Sequence, residues 1–186
     1  MGRLRGLLRG AGASRHAEPA LARGPGAAAR PERTRLRAGL RAARLHARLR
    51  PPPPAPGWPV HEDPDPGRWA ALAAQGFGPG TEAIMRLVAG VPGTRRFVAT
   101  VGGEAAGTGA YATETGVAAL HGTATRPEFR GRGVQAALLA FRLAQAAREG
   151  ADLASVFVTP GSGSERNVVR AGFRLAGLRL TFTRRS

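Results

Sequence analysis

Arg130-Gly131-Arg132-Gly133-Val134-Gln135-Ala136 stands between a strand-like apolar stretch and a long helix-like one. Its two glycines let backbone approach a ligand without Cβ obstruction, and the chain then enters a helix whose first N–H groups have no intrahelical acceptor. Those donors, the positive end of the helix dipole and the charges of Arg130 and Arg132 make a cradle for a pyrophosphate. Groups able to move a proton are scarce. His121 lies on the strand leading to the loop and titrates near neutrality, or is a strand histidine satisfied by a backbone partner. Tyr111, on a preceding hairpin, lines a cleft or packs. Ser162-Gly163-Ser164-Glu165 has the S-x-x-E spacing of a capping box, and the G-x-S-x-G spacing of a hydrolase elbow is absent around it. With no cysteine in the sequence, disulfides, thiolate metal sites and cysteine acyl-enzymes are excluded, and no metal site is expected.

The elements that must position these residues run from Trp58 onward. Residues 59–62 read as a short strand, and residues 67–75 and 81–91 as helices, the second with Thr81 as N-cap. Residues 96–101 and 105–113 read as a hairpin turning at Gly102-Gly103. Residues 117–125 form the strand before the loop, and residues 133–149 the longest helix, with Val134, Leu138 and Phe141 on its buried stripe. Residues 153–158 are a central strand, the capping box starts a short helix that Gly172 closes, and residues 173–183 are a last strand. Antiparallel hairpins combined with a strand-helix-strand crossover predict an α+β domain with a mixed, mainly antiparallel sheet flanked by helices.

The 186 residues carry a net charge of +16, unevenly placed. Residues 1–57 hold thirteen Arg against Glu18 and Glu32; all 28 basic residues of the chain are Arg, which points to a bacterial, G/C-rich gene as well as to anionic partners. Residues 1–57, rich in Arg, Ala, Gly and Pro and without an aromatic residue, cannot bury enough apolar surface to fold alone. They are expected to be a disordered or helical extension, separate from a domain at 58–186. Leu36, Leu40, Ala43 and Ala47 share one face at helical spacing, so a basic amphipathic helix is expected over 33–50. A presequence, a nucleic-acid-binding arm, and a mispredicted or out-of-frame start are all compatible with this composition. No apolar run reaches the roughly 18 residues of a membrane span, and a cytoplasmic protein with no membrane partner is expected.

The glycine loop fits two chemistries. Gly131-x-Gly133-x-x-Ala136 matches a dinucleotide fingerprint formally, but Asp152 precedes its strand instead of ending it, where a ribose-binding acid must stand. The stretch Thr123 to Val134, with Arg126-Pro127-Glu128-Phe129-Arg130-Gly131-Arg132-Gly133, resembles the strand, V-x-P-x-x-R-G-x-G loop and helix of the GNAT superfamily of N-acetyltransferases. Ser164-Glu165-Arg166-Asn167 with Ala171-Gly172-Phe173 resembles that family's second cofactor segment, and the likeness covers residues 58–183. The resemblance implies a GNAT-like sheet, acetyl-coenzyme A as cosubstrate, and acetyl transfer to a primary amine. It assigns Thr123, Ala124 and Thr125 to the pantetheine arm, and Arg130, Gly131, Arg132, Gly133, Val134, Gln135 and Ala136 to the pyrophosphate. Asn167 is a further candidate contact. The sequence departs from the pattern at Val168, where the family has a tyrosine proton donor, at Gly161, where it has an asparagine, and at Gln135, where it has a glycine. The family's final strand has no obvious counterpart. Two rivals remain open: a GNAT-shaped domain that holds an acyl-coenzyme A without turnover, and a nucleic-acid-associated protein acting only through residues 1–57.

Overall fold

The computed structural model of the protein describes residues 36–49 and 57–184. Backbone contacts divide the chain after Thr34, and the second unit begins at Arg35. Its strands are β1 (Leu36–Arg48), β2 (Val60–Glu62), β3 (Arg95–Val101), β4 (Glu104–Glu114), β5 (Val117–Thr125), β6 (Leu153–Val158) and β7 (Arg174–Arg184). Its helices are α1 (Pro66–Phe77), α2 (Glu82–Ala89), α3 (Val134–Arg148) and α4 (Gly163–Arg170). The strands form one sheet in the order β2-β3-β4-β5-β6-β1-β7, with only β5 and β6 parallel. The α+β class and the mainly antiparallel sheet are as the sequence predicts.

Local chemistry explains the element ends. Asp65 accepts from the backbone N–H groups of Gly67 and Arg68, and Pro66 opens α1 at a position where it has no N–H in need of an acceptor. Ser162 accepts from Glu165 N–H while the Glu165 carboxylate accepts from Gly161 N–H, so the capping box read in the sequence starts α4. Thr81 stands at the N-cap of α2 without a capping bond; its hydroxyl donates instead to Gly78 O.

Helices cover the sheet unequally. On one face, α3 and α4 pack Val134, Leu138, Leu143 and Val168 against Phe97, Tyr111, Leu120, Leu45 and Phe173. On the other, α1 and α2 pack Trp69, Ala73 and Met85 against Val98 and Ala110. The Trp69 indole is fully buried and donates to Phe97 O at 3.1 Å. Alternation within each strand assigns the rest: Ala119, His121, Ser155 and Phe157 lie on the α1 side, where β6, β1 and β7 have no helix over them among the described residues.

One element differs from expectation. Residues 36–48 form a strand, not a helix, and sit inside the sheet, antiparallel to β6 on one side and β7 on the other. The register Ala43 to Val158, Leu45 to Val156 and Ala47 to Ala154 buries Ala43 and Leu45 in the α3-side core. Ala, Leu and Arg favour helix locally, but two strands each offering an open row of N–H and C=O groups outweigh that weak preference. The sheet therefore draws on residues upstream of Trp58, and β1 fills the place for which the C-terminal sequence offers no strand. The rest of the expected extension, 1–35 and 50–56, lies outside the described residues.

Candidate functional site

The parallel pairing of β5 with β6 stops at Leu120 opposite Val156. Beyond it β5 continues for five residues with β4 on one edge only, so the backbone of His121 to Thr125 presents an unpaired edge toward β6. A cleft of about 500 Å³ opens here, lined by Thr123, Ala124, Thr125, Phe129, Arg130, Gly131, Gly133, Val134, Gln135, Ala136 and Asn167, with Gly76 and Phe77 from the end of α1.

The loop closing this cleft turns on two glycines directly before the start of α3. Gly131 and Gly133 have φ of 77° and 80°, in the left-handed region, and no atom lies within 4 Å of a Cβ at either position. The first intrahelical bond from the start of α3 is Ala137 N–H to Gly133 O, so the N–H groups of Val134, Gln135 and Ala136 have no helical acceptor. These donors, at the positive end of a fifteen-residue helix, face the cleft that the loop residues line.

The neighbouring side chains divide. Arg130 donates to Thr125 O at 3.3 Å and Gly76 O at 3.0 Å, tying the loop to the end of β5 and to α1. Arg132 does not line the cleft; its guanidinium lies over the Phe129 ring and its carbonyl accepts from Trp58 Nε1 at 2.6 Å. Gln135 turns toward α4, donating to Ser164 Oγ at 3.1 Å and accepting from Asn167 Nδ2 at 2.5 Å. The missing glycine at 135 is thereby accommodated, and Asn167 borders the cleft with its amide donor already engaged. Val168 is buried in the core at 3 % exposure, so that position holds no proton donor toward the cleft.

The two proton-transfer candidates are separated by the sheet. Tyr111 packs on the α3 side, stacked on Phe97 with ring centroids 5.6 Å apart, and its hydroxyl donates to Glu149 at 2.8 Å. Burial raises its pKa, and its environment is that of a packing residue. His121 is on the α1 side, one residue past the last rung shared with β6. Its Nδ1 lies 3.1 Å from Ala119 O, which requires the proton on Nδ1 and leaves Nε2 a bare acceptor. That Nε2 is buried with no partner among the described residues, and burial lowers the pKa of the ring below its usual value.

Two supports of this region were not evident from sequence. Gly76 sits where a Cβ would be 2.6 Å from Ala124 Cβ, so α1 touches the open strand directly; the glycine in the Gln75-Gly76-Phe77-Gly78 run was the signal. Arg142 is 1 % exposed and donates to Leu138 O, Ala110 O and His121 O, where β5 bulges against β4. Desolvation pushes its pKa down to about 9, so it remains charged at neutral pH. It continues the four-residue row Val134, Leu138, Arg142 on α3, which the sequence reading followed to Phe141 instead.

A parallel strand pair that splays beside a glycine loop and a helix start thus sets an open strand edge and unpaired backbone donors on one cleft. The chain matches the Acetyltransferase (GNAT) family over residues 58–173 and belongs to it. Among solved structures it is similar to a GCN5-related N-acetyltransferase from Kribbella flavida, with TM-score 0.58 and 20 % identity over 79 % of this chain and 58 % of that one. It is also similar to a GCN5-related N-acetyltransferase from Sphaerobacter thermophilus, with TM-score 0.63 and 22 % identity over 80 % and 53 %. A third is a Bacillus subtilis acetyltransferase in complex with CoA, with TM-score 0.55 and 15 % identity over 65 % and 79 %. The chain thus spans little more than half the length of the first two. A comparison with curated proteins finds no match. No helix among the described residues is long and apolar enough to cross a membrane.

Proposed function

We propose that this protein binds acetyl-coenzyme A in the β5–β6 opening and transfers the acetyl group to a primary amine. The observation that carries the reading is the conjunction of an unpaired strand edge at Thr123 to Thr125 with three free N–H groups at the start of α3. The residues fit the group: an extended amide-bearing arm adds to the strand edge as a further strand, and a pyrophosphate meets the helix start. Acetyl-coenzyme A supplies the activated acyl carbon as a thioester.

The chain's own groups supply the rest. Unpaired N–H groups on the β5 edge are preorganised donors for negative charge developing on the acyl oxygen. His121 Nε2 is neutral at pH 7 and has no partner among the described residues; a local opening that uncovers this buried nitrogen lets it take the proton that an ammonium acceptor must lose before it attacks. Tyr111 is bound elsewhere and Val168 carries no proton, so water protonates the departing thiolate.

Calorimetric titration of acetyl-coenzyme A into the full chain and into Gly133→Glu tests the site. Micromolar binding, abolished when a carboxylate is placed in the cradle, supports it; no binding by a folded chain rejects it. The core position of Val168 favours a second reading, an acyl-coenzyme A holder without turnover. Binding without acetylation of any amine in a broad panel would select that reading.

A further inference from the structure

Beyond the part that α1 and α2 cover, the α1 side of the sheet has no helix over it among the described residues, and there it carries a cluster of charge beside the proposed reaction site. Phe157 stands level with His121, each being the first residue past the last β5–β6 rung, and both lie on the α1 side. The half-exposed Phe157 ring is flanked by two guanidiniums: Arg44 Cζ is 4.7 Å and Arg179 Cζ 5.4 Å from its centroid. Arg44 comes from β1, directly opposite Phe157, and Arg179 from β7. The strand register puts Arg48, opposite Leu153, and Arg174, opposite His46, on the same face.

All four arginines are exposed, and none pairs with a carboxylate among the described residues; the ion pairs found there are Arg68–Asp63, Arg95–Glu62, Arg95–Glu149 and Arg126–Glu128. On β6, β1 and β7, the residues of this face include no acid. A guanidinium lying against a ring keeps its N–H edge free, and that planar fork matches a carboxylate or phosphate in two bonds. Uncompensated like charges across neighbouring strands repel, and an anion among them removes the repulsion.

Besides the cleft beside the loop, which the coenzyme would fill, two approaches to the fork are covered among the described residues. α3 closes one face, and α1, with Trp69 against Gly122, covers the other over β5. The approach across β6 and β1 has no helix over it among the described residues, and an acceptor would reach the fork there. Resting on the acetyl-transfer reading, we infer that the acceptor is a small amine that also carries an anionic group, carboxylate or phosphate, held by Arg44 and Arg179 around Phe157. β1, the strand from upstream of Trp58, then contributes to substrate choice as well as to the sheet.

Matched amines test this with the full chain: glycine against glycinamide, and phosphoethanolamine against ethanolamine, each assayed for acetylation. The acidic member of at least one pair is expected to have a kcat/KM tenfold or more above its neutral partner. In Arg44→Gln/Arg179→Gln that ratio should fall toward one, chiefly through KM; Arg44→Lys should keep part of it. The preferred pair identifies the anion as carboxylate or phosphate. Independently of turnover, calorimetry of the same four amines on the chain saturated with coenzyme A should show binding of the acidic member alone, lost in the double variant. Acetylation without charge preference, or a preference that survives the double variant, overturns the inference while leaving acetyl transfer intact. Absence of acidic-amine binding by folded, coenzyme-loaded protein also overturns it. So does single-stranded RNA that binds through Arg44 and Arg179 while no acidic amine does. Failure of every amine to be acetylated, with acidic binding intact, counts against the transfer reading instead.

Discussion

His121 and Gly122 show how closely the site depends on single residues. If His121 Nε2 is the base, the rate should rise with pH and level off with an apparent pKa below the ordinary histidine value of about 6.5, because burial disfavours the charged ring. His121→Gln should remove that acidic limb and most of kcat, measured as a pH–rate profile. Stability has the same sign. The unfolded ring binds a proton at a higher pH than the folded one, so stability is full above about 6.5 and declines as pH falls toward the lower folded pKa. Denaturant midpoints across that window should flatten in the Gln variant. Gly122 has φ of 59°, and a Cβ there would lie 2.3 Å from the Trp69 ring. Gly122→Ala should therefore cost about 2–4 kcal/mol by urea unfolding, from backbone strain plus a displaced indole. Arg142→Ala should cost a similar ~3 kcal/mol, since it opens a void against Gly109 and strips the Ala110 and His121 carbonyls of a donor.

At the scale of elements, α3 and α4 are clasped by Ser164, Gln135 and Asn167, a row of side-chain bonds at the rim of the cleft. Gln135→Ala should lower stability by only about 1 kcal/mol but weaken acetyl-coenzyme A binding several-fold, because the first turn of α3 loses its lateral hold; calorimetry and unfolding of one variant separate the two effects. The glycine turn into α3 was legible in the sequence because its requirements are local: two glycines for left-handed backbone, no capping side chain, and an apolar row to follow. The α4 cap was legible for the same reason. β1 was not, since Leu36 to Arg48 is composed of helix formers and only its non-local partners, β6 and β7, make it a strand. Arg142 was hidden by a different rule, that a charged residue in a helix ordinarily faces water. The tautomer and isolation of His121 depend on Ala119 and on the end of a ladder, neither of which has a sequence signature.

For the molecule as a whole, β1 is the hinge of the design, because β7 pairs with no other strand among the described residues. A chain starting at Trp58 should lose β7 and expose the β6 edge, giving a lower, broader thermal transition and aggregation on heating. Adding back a peptide of residues 33–50 should restore a cooperative transition, and a fully cooperative Trp58 truncation would contradict this account. The family match begins at residue 58, so sequence likeness alone would mark the boundary one strand too late. Antiparallel pairing also sets Leu36 opposite Arg184, which brings the start of β1 beside the end of β7. A two-residue turn of the kind that links adjacent strands would join them, with new termini opened at Gly102-Gly103. In that circular permutant, β7 and β1 become a local hairpin instead of a closure spanning the domain. The rearranged chain should reach the same native sheet and do so faster, since its last strand no longer has to find its first.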